Sequence, residues 1–240
     1  DAADHLITSN CYFYRSEVAA PVLSLEQIDF TTGHIYASEL EQRLSAAHTY
    51  MRDRYDKMFM VTEAGVTPFA QDPGLAEHTI HRMLWASYMM PMPGTAMPRW
   101  WDFIDARGLY SQFSALRSFA SGFDRRGSAL KRASASVSAT SGDRELRILT
   151  LKNDQRAFCW VYEPAAFKPR AEWQDTRQSG ADVTIPDLEE NAYTVEVWNT
   201  SDGKVIETID VESDGEKLTF SLPSFPADIA AKVVPSSETP

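Results

Sequence analysis

The chain has 240 residues, of which 43% are hydrophobic and 11% aromatic, and its formal net charge at pH 7 is −11. This composition supports one large or two small folded domains and excludes a disordered chain. The acidic balance argues against binding to nucleic acid or anionic membranes, which recruit basic patches. No apolar run approaches the roughly 20 residues of a membrane-spanning helix. Cys11 and Cys159 are too few for a disulfide framework or a zinc site, and we expect two free, buried thiols.

Residues 1–124 alternate short apolar segments with helical patterns. Strands are predicted at 5–13, 28–37, 58–65 and 94–104. The helix predicted at 38–57 has one apolar face, formed by Leu40, Leu44, Ala47 and Met51. Ser38 and Glu41 match the capping-box pattern at its start. Four strands alternating with helices predict a parallel sheet, and four such units correspond to half of an eight-stranded barrel.

The pattern changes after residue 124. Residues 125–142 are rich in Ser, Ala and Gly and are predicted to form a linker or an irregular segment. From 143 to 240, seven short strands are separated by turn residues, and Asp-Gly pairs at 202–203 and 214–215 are strong hairpin signals. The predicted fold class is therefore α/β followed by all-β. It combines half of a (β/α)8 barrel, strands five to eight, with a small antiparallel β-sandwich.

Polar and aromatic side chains follow the ends of the four predicted parallel strands, where barrels place their active sites. They are Ser9, Asn10, His34, Tyr36, Glu63, Arg99, Trp100, Trp101 and Asp102. This set suits a sugar, because indole faces stack on pyranose rings and the polar groups bond hydroxyls. The sequence contains no Gly-rich phosphate loop, no Cys/His metal spacing and no G-x-S-x-G elbow. It therefore implies no metal and no other cofactor.

Three segments carry a resemblance to a known group of enzymes. IDFTTGHIY (28–36), MFMVTEAG (58–65) and GTAMPRWWDFID (94–105) resemble strands six, seven and eight of the retaining (β/α)8 glycoside hydrolases. The chain is most similar to bacterial, cellulase-like proteins related to family 5, in which a collagen-binding-like accessory β-sandwich follows the barrel. The order and spacing of the three segments are more specific than the T-E-x-G strand end alone.

The resemblance implies a role for each matching residue. Glu63 matches the catalytic nucleophile, which forms a covalent glycosyl-enzyme that water hydrolyses. Tyr36 matches the hydroxyl that hydrogen-bonds this nucleophile, and His34 matches a histidine lining the same subsite. Trp100 or Trp101 matches the aromatic floor of the subsite. Adjacent residues of a strand point to opposite faces, so only one of the two is expected to contact sugar, and Trp100 is slightly preferred.

The chain also departs from the family pattern. Arg99 stands where an aromatic residue is expected, which predicts a cationic sugar contact. A retaining mechanism needs a second carboxyl group about 5–5.5 Å from the nucleophile. In the family this acid/base glutamate follows an Asn at the end of strand four, and no glutamate of this chain matches that pattern. We therefore expect it from an N-terminal half of the barrel, in the same precursor or in a second chain.

The expected function is hydrolysis of a glycosidic bond in an oligo- or polysaccharide with retention of configuration. The resemblance also implies export to the periplasm or the extracellular space, because polymeric glycan substrates lie outside the cell. One alternative is a non-catalytic carbohydrate-binding protein on a degenerate barrel, and another is a scaffold within a larger assembly. In those cases Glu63 is an ion-pair partner or a helix cap, and His34 is a structural histidine. Trp160, Tyr162 and Trp198 are expected to pack in the core rather than form a carbohydrate-binding platform.

Overall fold

A computed structural model of the protein describes residues 5–10, 15, 17–66, 73–142, 144–167 and 179–238. The chain divides into two compact units, Asp1–Arg107 and Gly108–Pro240. Among the helices formed by these described residues, none is long and apolar enough to cross a membrane.

The first unit is built around a pair of parallel strands. Its elements in chain order are α1 (Ala20–Leu23), β1 (Phe30–Tyr36), α2 (Leu40–Tyr55), β2 (Met58–Gly65), α3 (Pro73–Tyr88) and α4 (Trp101–Arg107). The helix α2 connects β1 to β2, since parallel neighbours need a crossover, and it packs on both strands. Its predicted apolar face is confirmed, because all four of those residues are fully buried.

The predicted capping box at the start of α2 is wrong. The N-cap residue is Glu39, and it makes no side-chain capping hydrogen bond. Glu41 instead accepts two hydrogen bonds of 2.7 Å from the buried Arg82 of α3. Arg82 also donates to the carbonyl oxygen of Ser38. A guanidinium is a stronger partner for a buried carboxylate than a backbone N–H, so this pair ties α2 to α3.

The first predicted strand is not formed by the residues that the structure describes. Residues 5–10 have no regular secondary structure, and 11–13 lie outside the described residues. The segment nevertheless lies beside β1, because the Asp29 N–H donates to the carbonyl oxygen of Ile7 at 2.8 Å. Thr8 Oγ1 also donates to the carbonyl oxygen of Phe30 at 2.6 Å. These contacts bring residues 9 and 10 to the edge of β1 without completing a strand ladder.

The fourth predicted strand, 94–104, is reduced to one isolated parallel bridge between Ala64 and Pro98. The N–H of Met97 donates to the carbonyl of Val61, and the N–H of Ala64 donates to the carbonyl of Met97. Pro98 has no N–H to extend this ladder. The chain then turns, and α4 begins at Trp101. The last residues of the prediction are therefore helical rather than extended.

The second unit contains the seven predicted strands after residue 143, two further short strands, and α5. Its elements are α5 (Tyr110–Ala120), β3 (Lys131–Ala133), β4 (Ser136–Ala139), β5 (Arg147–Lys152), β6 (Ala157–Tyr162), β7 (Ser179–Pro186), β8 (Asn191–Asn199), β9 (Lys204–Ser213), β10 (Lys217–Phe225) and β11 (Asp228–Pro235), with 3₁₀ turns at Pro164–Phe167 and Ser236–Glu238. The segment 125–142, predicted as a linker, carries β3 and β4. They are ordered because they pair with β5 and β7.

The strands of the second unit form two antiparallel sheets that share one hydrophobic core. Their orders are β3-β5-β6-β11-β8-β9 and β10-β7-β4. In β10, buried Leu218, Phe220 and Leu222 alternate with exposed residues, the pattern of a sheet with one face in solvent. Every residue of β6 is buried, so both faces of that strand are covered.

The second face of β6 is covered by aromatic side chains. Phe119 of α5 packs edge-on against Phe158 and against Trp198 of β8, with ring centroids 6.2 and 5.6 Å apart. Trp160 stacks on Tyr162 with centroids 4.3 Å apart. Core packing of Trp160, Tyr162 and Trp198 is thus confirmed. These contacts also place α5 in the second unit, whereas the sequence grouped it with the barrel segment.

The two cysteines have different standing. Cys159 lies in β6, is fully buried and is a free thiol, as expected. Burial raises its pKa to about 12. Cys11 lies outside the described residues.

Candidate active site at the carboxyl end of the parallel strands

A β-bulge near the carboxyl ends of β1 and β2 sets the direction of the candidate nucleophile. Gly33 pairs with Val61, but His34 pairs with Glu63, so Thr62 is an extra residue on β2. Phe59 and Val61 are buried, and regular alternation would turn Glu63 to the same side. The extra residue instead turns Glu63 to the side of His34. Bulges that re-aim a side chain recur next to active sites.

Glu63 lies between two basic side chains. Its Oε1 is 3.4 Å from Nη1 of Arg99, and its Oε2 is 3.7 Å from Nδ1 of His34. The Glu63 side chain is 25% exposed and that of Arg99 is 45% exposed. The carboxylate thus has a compensating charge but is not closed off, because both contacts are long and solvent reaches it.

His34 is held from its other side. Its Nε2 is 3.2 Å from Nδ2 of Asn10, at the end of the segment beside β1. Oδ1 of Asn10 accepts a hydrogen bond of 3.0 Å from the hydroxyl of Thr62, the extra residue of the bulge. The hydroxyl of Thr32 donates to the carbonyl of Ser9 at 2.9 Å and lies 3.4 Å from the same Oδ1. A connected polar network therefore runs across both strands beneath Glu63.

Tyr36 lies two residues after His34 on β1 and hence on the same face. The hydrogen bond to Glu63 that the resemblance implies is not formed. The Tyr36 hydroxyl is buried and has no hydrogen-bond partner among the residues that the structure describes. Burying a hydroxyl without a partner lowers the free energy of unfolding by about 1–3 kcal/mol. A hydrogen bond with a ligand or with a reoriented carboxylate would remove this penalty.

The two tryptophans do not lie on a strand, so the expectation that they point to opposite faces is wrong. Trp101 is the first residue of α4, and its side chain is 76% exposed. Trp100 precedes it and is half-buried. The argument from alternating faces does not apply to residues that enter a helix. Both indoles remain accessible in the first unit, and Trp101 more so than the preferred Trp100.

The arrangement can supply a nucleophilic carboxylate with a cation and an imidazole beside it. Among the described residues, His34 and Arg99 contact Glu63, and neither is a carboxylic acid, so they do not provide the second carboxyl of a retaining pair. Within the described part of the chain, no group of three or more His, Cys, Asp and Glu side chains could hold a metal ion.

The sequence placed Ser9 and Asn10 at a strand end but gave them no role, and it did not single out Thr32 or Thr62. The residue types carry a weak signal, because two threonines on neighbouring strands offer hydroxyls for a network. Their connection depends on the bulge, and hydrophobic periodicity does not reveal a one-residue insertion of this kind.

Comparison with known proteins supports the general fold. No family model matches the chain, and no curated protein matches its sequence. Among solved structures it is similar to a family 30 (GH30) endoxylanase from Clostridium papyrosolvens C71, with a TM-score of 0.54 and 13% identity, over 97% of this chain and 57% of that one. It is also similar to a family 30 subfamily 8 xylanase from Clostridium acetobutylicum, with a TM-score of 0.52 and 14% identity, over 98% of this chain and 57% of that one.

These similarities show a mixed α/β fold that the chain shares with these two xylanases. At 13–14% identity they show the fold alone, and they do not single out family 5. The chain spans a little over half the length of the two xylanases that it matches.

Proposed function

We propose that this protein takes part in the hydrolysis of a glycosidic bond with retention of configuration, and that Glu63 is the nucleophile. The observation that carries the proposal is the position of Glu63. It lies near the carboxyl end of a parallel strand, partly exposed and between His34 and Arg99, in a chain with a glycoside hydrolase fold. A solvent-accessible carboxylate keeps lone pairs with which it can attack an anomeric carbon.

The other residues of the site then have defined roles. His34 and Tyr36 line the subsite around Glu63, and the Tyr36 hydroxyl acquires a partner when a sugar binds. Arg99 supplies a cationic contact to the sugar. Trp100 or Trp101 offers the apolar floor, and the greater exposure of Trp101 favours that residue.

The acid/base residue is proposed to come from an N-terminal half of the barrel. A retaining mechanism needs a second carboxyl group beside the nucleophile, and among the described residues the groups that contact Glu63 are His34 and Arg99. The substrate is an oligo- or polysaccharide, and xylan is the first to test because the two similar structures described above are xylanases. We retain the broad assignment to retaining barrel hydrolases, since the motifs resemble family 5 and the fold matches family 30. Export follows from a polymeric substrate.

The test is covalent trapping of the nucleophile. The 240-residue chain is incubated with a 2-deoxy-2-fluoro xyloside or glucoside that carries a dinitrophenyl leaving group, which departs without help from a general acid. We expect a glycosyl adduct on Glu63, detected by peptide mass spectrometry, because the fluorine slows its hydrolysis. The Glu63→Gln variant should form the adduct at least about 10³-fold more slowly.

The matched control is Glu207→Gln, an exposed glutamate of β9, which should be labelled at the wild-type rate. Labelling of another residue, or undiminished labelling of the Glu63→Gln variant, would refute the nucleophile assignment. Binding of xylo-oligosaccharides without any labelling would favour the alternative, a non-catalytic carbohydrate-binding protein.

A further inference from the structure

Asn10 connects three side chains of the candidate site. It lies at the end of the segment beside β1 and contacts His34 on that strand and Thr62 in the bulge of β2. The amide oxygen and nitrogen of Asn10 have different neighbours. Oδ1 faces the hydroxyls of Thr62 and Thr32, and Nδ2 faces the imidazole of His34. The amide therefore links the bulge to the ring that lies next to Glu63.

The chemistry of the amide determines which ring nitrogen carries the proton. Nδ2 of Asn10 has two hydrogens and no lone pair to offer, so at 3.2 Å it can only donate. Nε2 of His34 must then accept with its lone pair. In a neutral imidazole only one nitrogen carries hydrogen, so the proton is on Nδ1. That nitrogen is the one 3.7 Å from Oε2 of Glu63.

We propose that Asn10 is a positioning residue that holds His34 in the Nδ1–H tautomer and so directs an N–H toward the Glu63 carboxylate. Its value for catalysis rests on the function proposed above. When the glycosyl-enzyme breaks down, Glu63 leaves as a carboxylate, and an N–H directed at its oxygen stabilises the charge that returns to it. In the opposite tautomer a lone pair would face that oxygen instead.

Thr62 orients the amide of Asn10. The Thr62 hydroxyl donates to Oδ1 at 3.0 Å, so Oδ1 is turned toward β2 and Nδ2 toward the ring. Thr62 is also the extra residue of the bulge, so the feature that turns Glu63 toward His34 also supplies the donor that orients Asn10. One local irregularity thus sets both partners of the Nδ1–carboxylate contact.

The Asn10→Asp substitution tests the proposal with little change in shape. The carboxylate still accepts from Thr62, but an oxygen that can only accept replaces Nδ2. We expect the proton of His34 to move from Nδ1 to Nε2. The measurement is NMR of the 240-residue chain labelled with ¹⁵N-histidine at a pH where the ring is neutral, with the His34 signals assigned by a His34→Gln variant. In the wild type, Nδ1 of His34 should be protonated and Nε2 unprotonated. In Asn10→Asp, Nε2 should be protonated and Nδ1 unprotonated.

The matched control is Asn191→Asp, which introduces the same negative charge at an exposed site. The side-chain oxygen of Asn191 accepts a hydrogen bond from the N–H of Ala192. This variant should leave the His34 spectrum unchanged. A protonated Nε2 in the wild type, as a reversed Asn10 amide would produce, overturns the proposal, as does an unchanged spectrum in folded Asn10→Asp. If that variant does not fold, the wild-type spectrum alone decides, because it reads the tautomer without any substitution.

The activity readout separates this inference from the proposed function. Asn10→Asp should slow breakdown of an unfluorinated glycosyl-enzyme by roughly 10- to 100-fold, with little effect on sugar binding, because a lone pair replaces the N–H directed at the charge that returns to Glu63. If Glu63 is labelled but His34 is protonated on Nε2, the function stands and the inference fails. If His34 is protonated on Nδ1 but Glu63 is never labelled, the proposed function fails and the tautomer assignment stands.

Discussion

Two of the Arg–Glu pairs, one in each unit, differ in how completely the protein shields them from solvent. In the second unit, Nε of Arg144 donates to Glu163 at 2.9 Å, and the Arg144 side chain is only 3% exposed. Its other N–H groups donate to the carbonyls of Ser179, Phe225 and Pro226. In the first unit, Nη1 of Arg99 is 3.4 Å from Oε1 of Glu63, and both side chains are partly exposed.

The difference shows what a pair can be used for. The Arg144 guanidinium donates to carbonyls at strand ends and to the Glu163 carboxylate. That pair therefore holds backbone segments together, and its donors are already engaged within the protein. Glu63 keeps solvent access and long contacts, so it retains lone pairs that can react. Completeness of hydrogen bonding thus distinguishes a structural pair from a candidate reactive one, although the residue types are the same.

The largest effect is expected from breaking the closed pair. Arg144→Ala should lower the free energy of unfolding by about 3–5 kcal/mol, because it leaves the Glu163 carboxylate and three carbonyls without their donor. Urea unfolding followed by tryptophan fluorescence measures this change. The control is Arg126→Ala, which removes a surface pair with Asp124 whose arginine is 91% exposed, and it should have no measurable effect. Equal behaviour of the two variants would contradict the comparison.

A smaller effect on the free energy of unfolding is expected from raising the pH, through a fully buried thiol of the same unit. The pKa of Cys159 is about 12 in the folded protein, against 9.0 for an ordinary thiol. Above pH 9 the unfolded thiol loses its proton while the folded one keeps it. The unfolded state then binds fewer protons, and stability falls as pH rises. At pH 10 the loss from this group should be about 1.4 kcal/mol.

The comparison of wild type with Cys159→Ala isolates that contribution. Unfolding free energies measured at pH 8, 9 and 10 should converge as pH rises, because the variant lacks the fall caused by Cys159. All other groups, Cys11 included, titrate in both proteins and cancel. Parallel curves for the two proteins would show that the thiol is not shielded as the structure indicates.

The smallest effect on stability is expected at the open pair. Glu63→Gln and Arg99→Gln should each change the free energy of unfolding by no more than about 0.5 kcal/mol, because a long, partly exposed ion pair contributes little. The same urea unfolding experiment measures this. A loss as large as that of Arg144→Ala would show that Glu63 serves the fold. The proposed function instead requires a large effect of Glu63→Gln on labelling beside this small effect on stability.

Sequence patterns predicted the elements that depend on local periodicity. The apolar face of α2 follows from 3.6-residue spacing, and the seven strands after residue 143 follow from apolar runs between turn residues. The same reasoning failed where pairing partners decide. Segment 94–104 is apolar enough for a strand but reaches only an isolated bridge, and 125–142 is polar enough for a linker but forms two strands by pairing with β5 and β7.

For the candidate site, the sequence by itself determined which residue types stand near the carboxyl ends of β1 and β2: His34, Tyr36 and Glu63. Only the tertiary structure decided how they face one another. The bulge at Thr62 turns Glu63 to the side of His34, and the segment beside β1 brings Asn10 to the imidazole across 24 positions of the chain. Side-chain direction in a strand reverses with every residue, so a single inserted residue changes the facing partner, and no pattern of composition records that choice.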